Sequence, residues 1–517
     1  MRRLSIQLTC LLALLPALGL GCASSHEDAR DMAHADEYKA EASVLEPAYD
    51  GSPESERDYE WADDMVAAEE AEAAPSAPAP SGAADSPTMA LGDGEGGGAA
   101  SGDRAPSASP SKAKRSGSSS SPARDKGGAK IAREETVRED SKSAKIAKRP
   151  DANIQSGTLT AGSFDDNLNP WVFDKFVNQV RTHPELSQLA SAFAGPRTVL
   201  RVQDAQGRPI ANARVEIDGK QILTRTDGRA VWVQGWDSRK QGQGKATIST
   251  GNARKVVSIK DQVEQLVTLT DAQGTLPTKL DIALVIDATG SMGDELDYLK
   301  VEIRDIAEAI HRHFPNVDQR FALIAYRDHG DQYVTRVFDF TGDLEAFQRD
   351  LGAQSASGGG DYPEAMDSAL ADAAKLSWRK GDAARVTFLV ADAPPHNNKI
   401  DDTFAQVDKL RSKGVAVYPV ASSGVAGEAE FVMRTTAMLT GAQYLFLTDD
   451  SGVGNPHAEP HIPCYTVEQL APLMVRAVRS ELSGRRVEAE DQYTIRTVGK
   501  GQAGVCERPK PSAKIAR

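Results

Sequence analysis

Asp287, Thr289 and Ser291 place one carboxylate and two hydroxyls at alternate positions of a short segment. The segment follows the apolar run 282–286 and precedes a stretch with helical spacing, so it is predicted to be a loop at the end of a buried strand. Alternate residues of such a loop can direct three oxygen atoms at one point, and Gly290 allows a tight turn. Hard divalent cations are bound by carboxylate, hydroxyl and water oxygens. The segment therefore predicts a divalent-cation site, for Mg²⁺ or else for Mn²⁺ or Ca²⁺.

A different chemistry is open to the same serine. The run Thr289-Gly-Ser291-Met-Gly293 lies at a strand-to-helix turn, as the nucleophile of many serine hydrolases does, but Thr289 stands where that G-x-S-x-G motif has its first glycine. A metal-dependent hydrolase, or an accessory subunit of an envelope complex, is a further alternative. The sequence has no His-Glu-x-x-His motif and no G-x-x-x-x-G-K-[S/T] phosphate loop. We therefore predict a non-enzymatic protein and keep these alternatives open.

The loop resembles the D-x-[S/T]-x-S segment of the metal ion-dependent adhesion site in the von Willebrand factor A family. Two later segments agree with that family in type and order, namely Ser357-Gly-Gly-Gly-Asp361-Tyr-Pro-Glu364 and Asp392-Ala-Pro-Pro-His396. Together with Tyr326-Arg-Asp-His329, they are most similar to the branch found in hemicentins and kinase-linked A domains. The resemblance implies metal ligands from three loops: Asp287, Thr289, Ser291, Asp361 and Asp392.

The resemblance also implies a function, which is adhesion-type binding of a protein partner. In the family, an Asp or Glu carboxylate of the partner is the last ligand of the ion. Asp361 stands where the family's second loop usually has a threonine. Three carboxylates around one ion should tighten metal binding and weaken the attraction of the ion for a partner's carboxylate.

Further polar residues follow the ends of predicted parallel strands. Asp328 and His329 come after one strand, and His396 comes after another. Open α/β sheets bind ligands outside the carboxyl ends of their strands. We predict that these three residues contact the ligand.

From residue 278 to 484, predicted strands and helices alternate, which favours a parallel sheet covered by helices on both faces. The predicted fold class is α/β, a doubly wound, mostly parallel six-stranded sheet like that of the von Willebrand factor A family. The loop before the third strand is too short for a crossover, so that strand must be antiparallel and at an edge. The six strands are predicted at 282–286, 321–326, 335–340, 385–391, 415–420 and 444–447.

Smaller units are predicted on either side of this domain. Apolar residues at helical spacing follow Asn169-Pro170, so residues 156–195 are predicted to be a short helical segment. Residues 196–272 alternate with period two between turn signals and resemble the carboxypeptidase regulatory-like β-sandwich. Residues 485–517 are predicted to be a C-terminal tail.

The N-terminal third predicts an exported protein with a tether. Arg2 and Arg3 precede the apolar stretch 4–20, and small residues surround Cys22, so residues 1–22 resemble a bacterial lipoprotein signal with Cys22 as the lipidated residue. Residues 23–155 are acidic, then rich in Pro, Ala, Ser and Gly, then basic, which is typical of a disordered linker. We expect a bacterial cell-envelope protein that meets the membrane only through its lipid, on the periplasmic face or the cell surface. A secreted protein is the alternative.

The net charge limits the class of partner that is expected, and the cysteines bear on whether the protein contains a disulfide. The net charge is −14 and the pI is about 5.3, so nucleic acid is not expected as a partner. Once Cys10 and Cys22 are assigned to the signal and the anchor, Cys464 and Cys506 remain. An oxidising compartment favours a disulfide between them, and two unpaired buried thiols are the alternative.

Overall fold

The computed structural model describes residues 157–238, 244–260, 263–360, 362–453 and 456–509. The predicted signal peptide, the lipidation site Cys22, the linker 23–155 and the predicted metal ligand Asp361 lie outside the described residues. Within the described ranges, every helix is too short or too polar to cross a bilayer.

The described residues form one large sheet, two small sheets and a two-stranded hairpin. In chain order the strands are β1 (Thr160–Phe164), β2 (Arg197–Gln203), β3 (Arg214–Ile217), β4 (Lys220–Leu223), β5 (Arg229–Val233), β6 (Lys245–Thr250), β7 (Ala253–Ser258), β8 (Glu264–Thr268), β9 (Lys279–Asp287), β10 (Asp318–Tyr326), β11 (Thr335–Thr341), β12 (Ala384–Ala391), β13 (Val415–Ala421), β14 (Tyr444–Leu447), β15 (Tyr465–Gln469), β16 (Thr494–Val498), β17 (Gly501–Gln502) and β18 (Val505–Cys506).

Most of the helices alternate with the strands of the large sheet. In chain order they are α1 (Pro170–Val180), α2 (Ser187–Phe193), α3 (Gln234–Asp237), α4 (Gly293–His313), α5 (Leu344–Gly352), α6 (Met366–Lys375), α7 (Ile400–Arg411), α8 (Gly427–Thr440) and α9 (Leu470–Ser483). The apolar residues of α4 recur every three or four positions, so they lie on one face of the helix. That face is buried, as its spacing predicts: Leu296, Leu299, Ile303, Ile306 and Ile310.

The large sheet has the strand order β11-β10-β9-β12-β13-β14-β1-β15-β16. Strands β10, β9, β12, β13 and β14 are parallel to one another. Strand β11 is antiparallel to β10 and lies at the edge, as predicted. Strand β12 is buried along its whole length because helices cover both faces of the sheet. The α/β fold class and all six predicted strands are confirmed.

The sheet is larger than predicted, because β1, β15 and β16 extend it to nine strands. Strand β1 lies in the segment that was expected to be only helical, and it pairs antiparallel with both β14 and β15. Its sequence, TAGSF, carries little strand signal of its own. A Cβ at Gly162 would overlap the ring of Phe446, so the strand fits between its neighbours only with a glycine there. Strand β16 lies in the predicted C-terminal tail, so the sheet also continues beyond residue 484.

Two apolar cores lie on opposite faces of the large sheet. One face is covered by α4, α5 and α9, which contribute residues such as Leu299, Phe347 and Leu473. The other face is covered by α6, α7 and α8 and also by α1 and α2 from the N-terminal segment. The N-terminal segment therefore belongs to the body of the large domain.

Residues 197–268 form two small sheets with a core of their own. One sheet has the order β5-β2-β8 and the other has the order β4-β3-β6-β7. Apolar residues from both sheets pack together, including Leu200, Val215, Trp232 and Ile248. The buried Glu481 of α9 accepts a hydrogen bond of 2.7 Å from Thr226, which follows β4, so this unit is tied to the large domain through side-chain contacts.

The C-terminal hairpin is held against the large sheet by a disulfide. The sulfur atoms of Cys464 and Cys506 are bonded at 1.99 Å, so the two cysteines left for pairing by the sequence are joined. The side chain of Asn169 donates a hydrogen bond to the carbonyl of Gly504 and accepts one from the amide of Cys506. The tail is thus linked to both the N-terminal segment and the loop before β15.

Candidate metal centre

Parallel pairing brings the ends of β9, β10 and β12 to one edge of the sheet. Tyr326 at the end of β10 is the register partner of Asp287, the last residue of β9. On the other side, Val390 of β12 is the partner of Ile286. The loops that begin at residues 288, 327 and 392 therefore start side by side. This is the edge at which open sheets bind ligands.

The first loop draws its three oxygen-bearing side chains together. The Thr289 hydroxyl lies 2.7 Å from Oδ1 of Asp287 and 3.2 Å from the Ser291 hydroxyl. The Thr289 amide also donates to Oδ1 of Asp287, at 2.9 Å. Oδ2 of Asp287 is buried and has no hydrogen-bond partner within the described part of the chain. The loop therefore presents a second carboxylate oxygen beside two hydroxyls, and the hydroxyl of Tyr326 is also close enough to lower the pKa of Asp287.

Backbone hydrogen bonds join the second loop to the first. The amide of Gly290 donates to the carbonyl of Gly358 at 3.1 Å, and the amide of Ser357 donates to the carbonyl of Ala288 at 3.0 Å. Gly358 has φ of +87°, and a Cβ there would overlap the carboxyl group of Asp331. A glycine is required at this position for both reasons.

Asp392 of the third loop adds a second buried carboxylate. Its side chain is 4% exposed, and its Oδ1 lacks a hydrogen-bond partner among the described residues. Burial and the negative charge of Asp287 raise the pKa of Asp392 well above its usual value, although a hydrogen bond from Ser291 opposes this shift. Burial likewise raises the pKa of Asp287 to about 6, against hydrogen bonds from Thr289 and Tyr326 that lower it. Two carboxyl groups thus lie close together with little compensation.

A third buried carboxylate, Glu364, was in a quoted motif but was not predicted to be a ligand. It is 3% exposed, and its Oε2 is also without a partner in the described structure. Burial, followed by the charges of Asp287, Asp328, Asp392 and Asp331, raises its pKa to about 10. The signal that could have identified it is a glutamate three residues after Asp361 in a glycine-rich loop.

These residues fit a divalent cation. Buried polar atoms are normally hydrogen-bonded, so three unpartnered carboxylate oxygens at one sheet edge require an explanation. No lysine, arginine or histidine of the described residues forms an ion pair with Asp287, Glu364 or Asp392. A hard cation would satisfy these oxygens and the negative charge together.

Carboxylates alone do not complete the centre. Across the described ranges, no three His, Cys, Asp or Glu side chains are grouped closely enough to hold a metal ion. A cation would therefore need the hydroxyls of Thr289 and Ser291 and coordinated water as well. The role of Asp361 stays a prediction, because that residue lies outside the described ranges.

The three predicted contact residues lie together at the rim of this edge. His396 Nε2 lies 2.7 Å from Oδ1 of Asp328, and the rings of His329 and His396 are 5.8 Å apart between centroids. His329 Nε2 lies 3.8 Å from Oδ1 of Asp367. The structure therefore brings the three residues together, and their contact with a ligand stays a prediction.

Comparisons with known proteins agree with this architecture. Residues 281–452 match the family model described as the von Willebrand factor A domain. An ariadne-like RING finger protein of Acanthamoeba polyphaga mimivirus is 29% identical over 189 residues, which are 32% of this chain and 18% of that protein. An alpha-protein kinase of Dictyostelium discoideum is 30% identical over 122 residues, 23% of this chain and 19% of the kinase.

A human protein and a solved structure also match this chain, each over about a quarter of its length. The von Willebrand factor A domain-containing protein 7 of Homo sapiens is 36% identical over 114 residues, 22% of this chain and 12% of that protein. The chain thus spans less than a fifth of each of these relatives. The structure of BatB from Bacteroides thetaiotaomicron is 14% identical with a TM-score of 0.22, over 28% of this chain and 67% of BatB. The motifs, the sheet and the family match together show that this chain carries a von Willebrand factor A domain.

Proposed function

We propose that this protein binds a protein partner at the bacterial cell envelope through a divalent cation held at the carboxyl edge of the large sheet. Von Willebrand factor A domains generally serve protein–protein binding. The observation that carries the proposal is the pair of unpartnered, buried oxygens, Oδ2 of Asp287 and Oδ1 of Asp392, beside the hydroxyls of Thr289 and Ser291. An Asp or Glu carboxylate of the partner would complete the coordination.

The residues of this chain would contribute different kinds of ligand to the ion. Asp287 and Asp392 would supply negative charge, and Thr289 and Ser291 would supply neutral oxygens. The bound cation, Mg²⁺ or else Mn²⁺ or Ca²⁺, would supply an electrophilic position for an oxygen of the partner. Hydrogen bonds between the first and second loops keep these groups in place before any partner arrives.

The contacts of Ser291 favour binding over hydrolysis. Its hydroxyl contacts Thr289 and Asp392, and in the described structure no histidine hydrogen-bonds to it. His396, a candidate base at the same edge of the sheet, is paired with Asp328. A nucleophilic serine needs an adjacent base to activate it. We therefore expect no labelling of Ser291 by a covalent serine-hydrolase probe, and labelling would favour the hydrolase alternative.

The envelope location is part of the proposal and is supported by sequence. If Cys22 carries a lipid, wild-type protein should fractionate with membranes, and Cys22→Ala should move it to the soluble fraction. Wild-type protein that is already soluble and begins at a residue other than Cys22 would contradict the anchor and favour secretion.

Affinity capture tests the binding function. Immobilised protein is mixed with envelope extract in millimolar Mg²⁺, in chelator, and as the variant Asp287→Ala. We expect a partner that is captured only by wild-type protein with the ion present. The control is Asp297→Ala, which removes an aspartate whose side chain is 63% exposed on α4. If chelator and Asp287→Ala both leave capture as strong as it is with wild-type protein in Mg²⁺, metal-dependent binding is refuted.

A further inference from the structure

Glu364 is positioned by the backbone of two loops. Its amide donates to the carbonyl of Pro394 at 2.9 Å, and it forms an isolated parallel bridge with Pro395. The next residue, Ala365, donates to the carbonyl of Arg327 at 3.3 Å. The residue is thus fixed between the loop that follows β10 and the loop that carries Asp392.

The side chain of Glu364 extends toward the candidate metal centre. A Cβ added to Gly359 would lie 2.9 Å from Oε1 of Glu364 and 3.4 Å from Cβ of Thr289, so the carboxyl group and Thr289 border the same small space. Gly359 has φ of +75° and leaves that space open. Oε2 is buried without a partner among the described residues.

The charges that act most strongly on Glu364 are of one sign. The groups that act on it most strongly after burial are the carboxylates of Asp287, Asp328, Asp392 and Asp331. Removing a charged group from water is costly unless an opposite charge or hydrogen bonds compensate it. A cation beside Asp287 and Asp392 would compensate Glu364 as well.

We propose that Glu364 is an additional acidic group of the metal centre, which holds the ion through a coordinated water. This inference rests on the proposed metal-dependent function. It has a consequence for the partner, because a further negative charge beside the ion weakens its attraction for an anionic group. Glu364 would therefore strengthen metal binding and, in the loaded protein, oppose the binding of a carboxylate.

Mn²⁺ binding tests the first half of the proposal. The affinity of the purified full-length chain for Mn²⁺ is measured from the electron paramagnetic resonance signal of the free ion. We expect Glu364→Gln to weaken Mn²⁺ binding about tenfold to a hundredfold, as the loss of groups around a metal commonly does. Glu364→Ala is a second variant, which removes the carboxyl group without adding an amide.

A buried glutamate elsewhere in the domain is the matched control. Glu428, at the start of α8, is 5% exposed and also has an unpartnered oxygen within the described structure. Glu428→Gln should bind Mn²⁺ within about twofold of wild type, which would separate the effect of Glu364 from a general effect of removing buried charge.

Acetate tests the second half, as a probe for carboxylate binding to the ion. Acetate that displaces water from bound Mn²⁺ lowers the water-proton relaxation rate. With Mn²⁺ at saturating concentration for each protein, Glu364→Gln should reach half effect at about three to ten times less acetate than wild type. Equal or weaker acetate binding in this variant would overturn the charge argument.

The outcomes separate this inference from the function on which it rests. If Asp287→Ala loses Mn²⁺ but folded Glu364→Gln or Glu364→Ala keeps wild-type affinity, the metal centre stands and the role of Glu364 is refuted. If wild-type protein binds no Mn²⁺, Mg²⁺ or Ca²⁺, the proposed function and the role of Glu364 both fail.

Discussion

Two buried charged clusters in this domain are built on opposite plans. The first surrounds Arg434 of α8, which is fully buried. Its guanidinium group binds Asp166 at 2.7 Å and Glu430 at 2.9 Å, and Glu430 in turn lies 2.7 Å from Nδ1 of His461. The second cluster is the candidate metal centre, where Asp287, Glu364 and Asp392 are buried without a basic partner among the described residues.

The difference shows in the pKa of Glu430 when it is compared with the carboxyl groups of the candidate metal centre, whereas at Asp166 burial outweighs Arg434 and raises the pKa. Burial raises the pKa of Glu430, but His461 and Arg434 outweigh it, and the net shift is downward. At Glu364, burial is reinforced by other carboxylates and the pKa is raised to about 10. At Asp287, burial outweighs the hydrogen bonds from Thr289 and Tyr326, and the pKa is raised to about 6. A cluster that carries its own counter-charge is suited to stabilising the fold. A cluster that lacks one is suited to binding a cation from solution.

The largest effect on stability is expected from a substitution that breaks the Arg434 cluster. Arg434→Met should lower the free energy of unfolding by about 3–5 kcal/mol, because it leaves Asp166 and Glu430 buried without their cation. Chemical denaturation of the full-length chain measures this. Arg304→Met is the control, since Arg304 is half exposed, and it should change stability by less than about 1 kcal/mol. A similarly small loss in Arg434→Met would contradict the assigned role.

The next largest effect is the increase in stability that a bound cation should give at the candidate metal centre. At a hundred times the dissociation constant, Mg²⁺ or Mn²⁺ should stabilise the fold by about 2.7 kcal/mol, if unfolded chain binds none. Thermal unfolding with and without chelator measures the gain. Asp287→Ala should abolish it without unfolding the domain, and Asp297→Ala should retain it. A wild-type melting temperature that no divalent ion changes would argue against the centre.

A smaller effect is expected from pH in metal-free protein. The pKa of Glu364 is raised from 4.5 to about 10, so between these values the folded protein keeps a proton that the unfolded chain has released. Stability should therefore fall as pH rises through this window, by less than about 1.4 kcal/mol per pH unit. Glu364→Gln should flatten the fall when melting temperatures are compared from pH 7.5 to 9.5 in chelator.

Glu428→Gln is the control for this pH dependence as well. Burial, with the charge of Glu185, raises the pKa of Glu428 to about 7, so its contribution to the slope lies mostly below that pH. The variant should keep the wild-type slope from pH 7.5 to 9.5. A slope that Glu364→Gln leaves unchanged would show that Glu364 is not the group that holds the proton.

The smallest effect is expected at the rim of the metal centre. The His396 side chain is 24% exposed and pairs with Asp328. His396→Gln should change stability by about 0–1 kcal/mol, as partly exposed ion pairs do, and should leave Mn²⁺ affinity within about twofold of wild type. Loss of Mn²⁺ binding in this variant would show that His396 takes part in metal binding. The candidate metal centre would then include a basic residue, as the Arg434 cluster does.

Much of the large domain could be predicted from local patterns. Residues 282–286 of strand β9 are an uninterrupted apolar run because both faces of the strand are covered, and α4 shows its buried face in its spacing. The first and third loops of the candidate metal centre could be predicted for a related reason. A strand that ends at a known residue places the next side chains at the sheet edge, so Asp287, Thr289 and Ser291 were predicted from order and residue type, and Asp392 was predicted from the family resemblance.

The parts of the fold that could not be predicted depend on contacts between segments that are distant in sequence. Strand β1 has no strong apolar pattern, and its place in the sheet follows from its fit beside Phe446 and its pairing with β14 and β15. The Arg434 cluster joins Asp166 to a helix more than 260 residues later in the chain. Whether a charged residue is exposed or buried is decided by what packs on it, and that information is not local.

The sequence by itself determined which chemical groups this protein has at the end of each buried strand, because strand and helix periodicity are local properties of the chain. Only the tertiary structure decided which of these groups have partners. Glu364 and Glu430 are both glutamates at buried positions, yet one is held by His461 and Arg434 and the other borders carboxylates of its own sign. The energy of a buried charge depends on the charges that folding brings within a few ångströms of it, and those come from loops far apart in sequence.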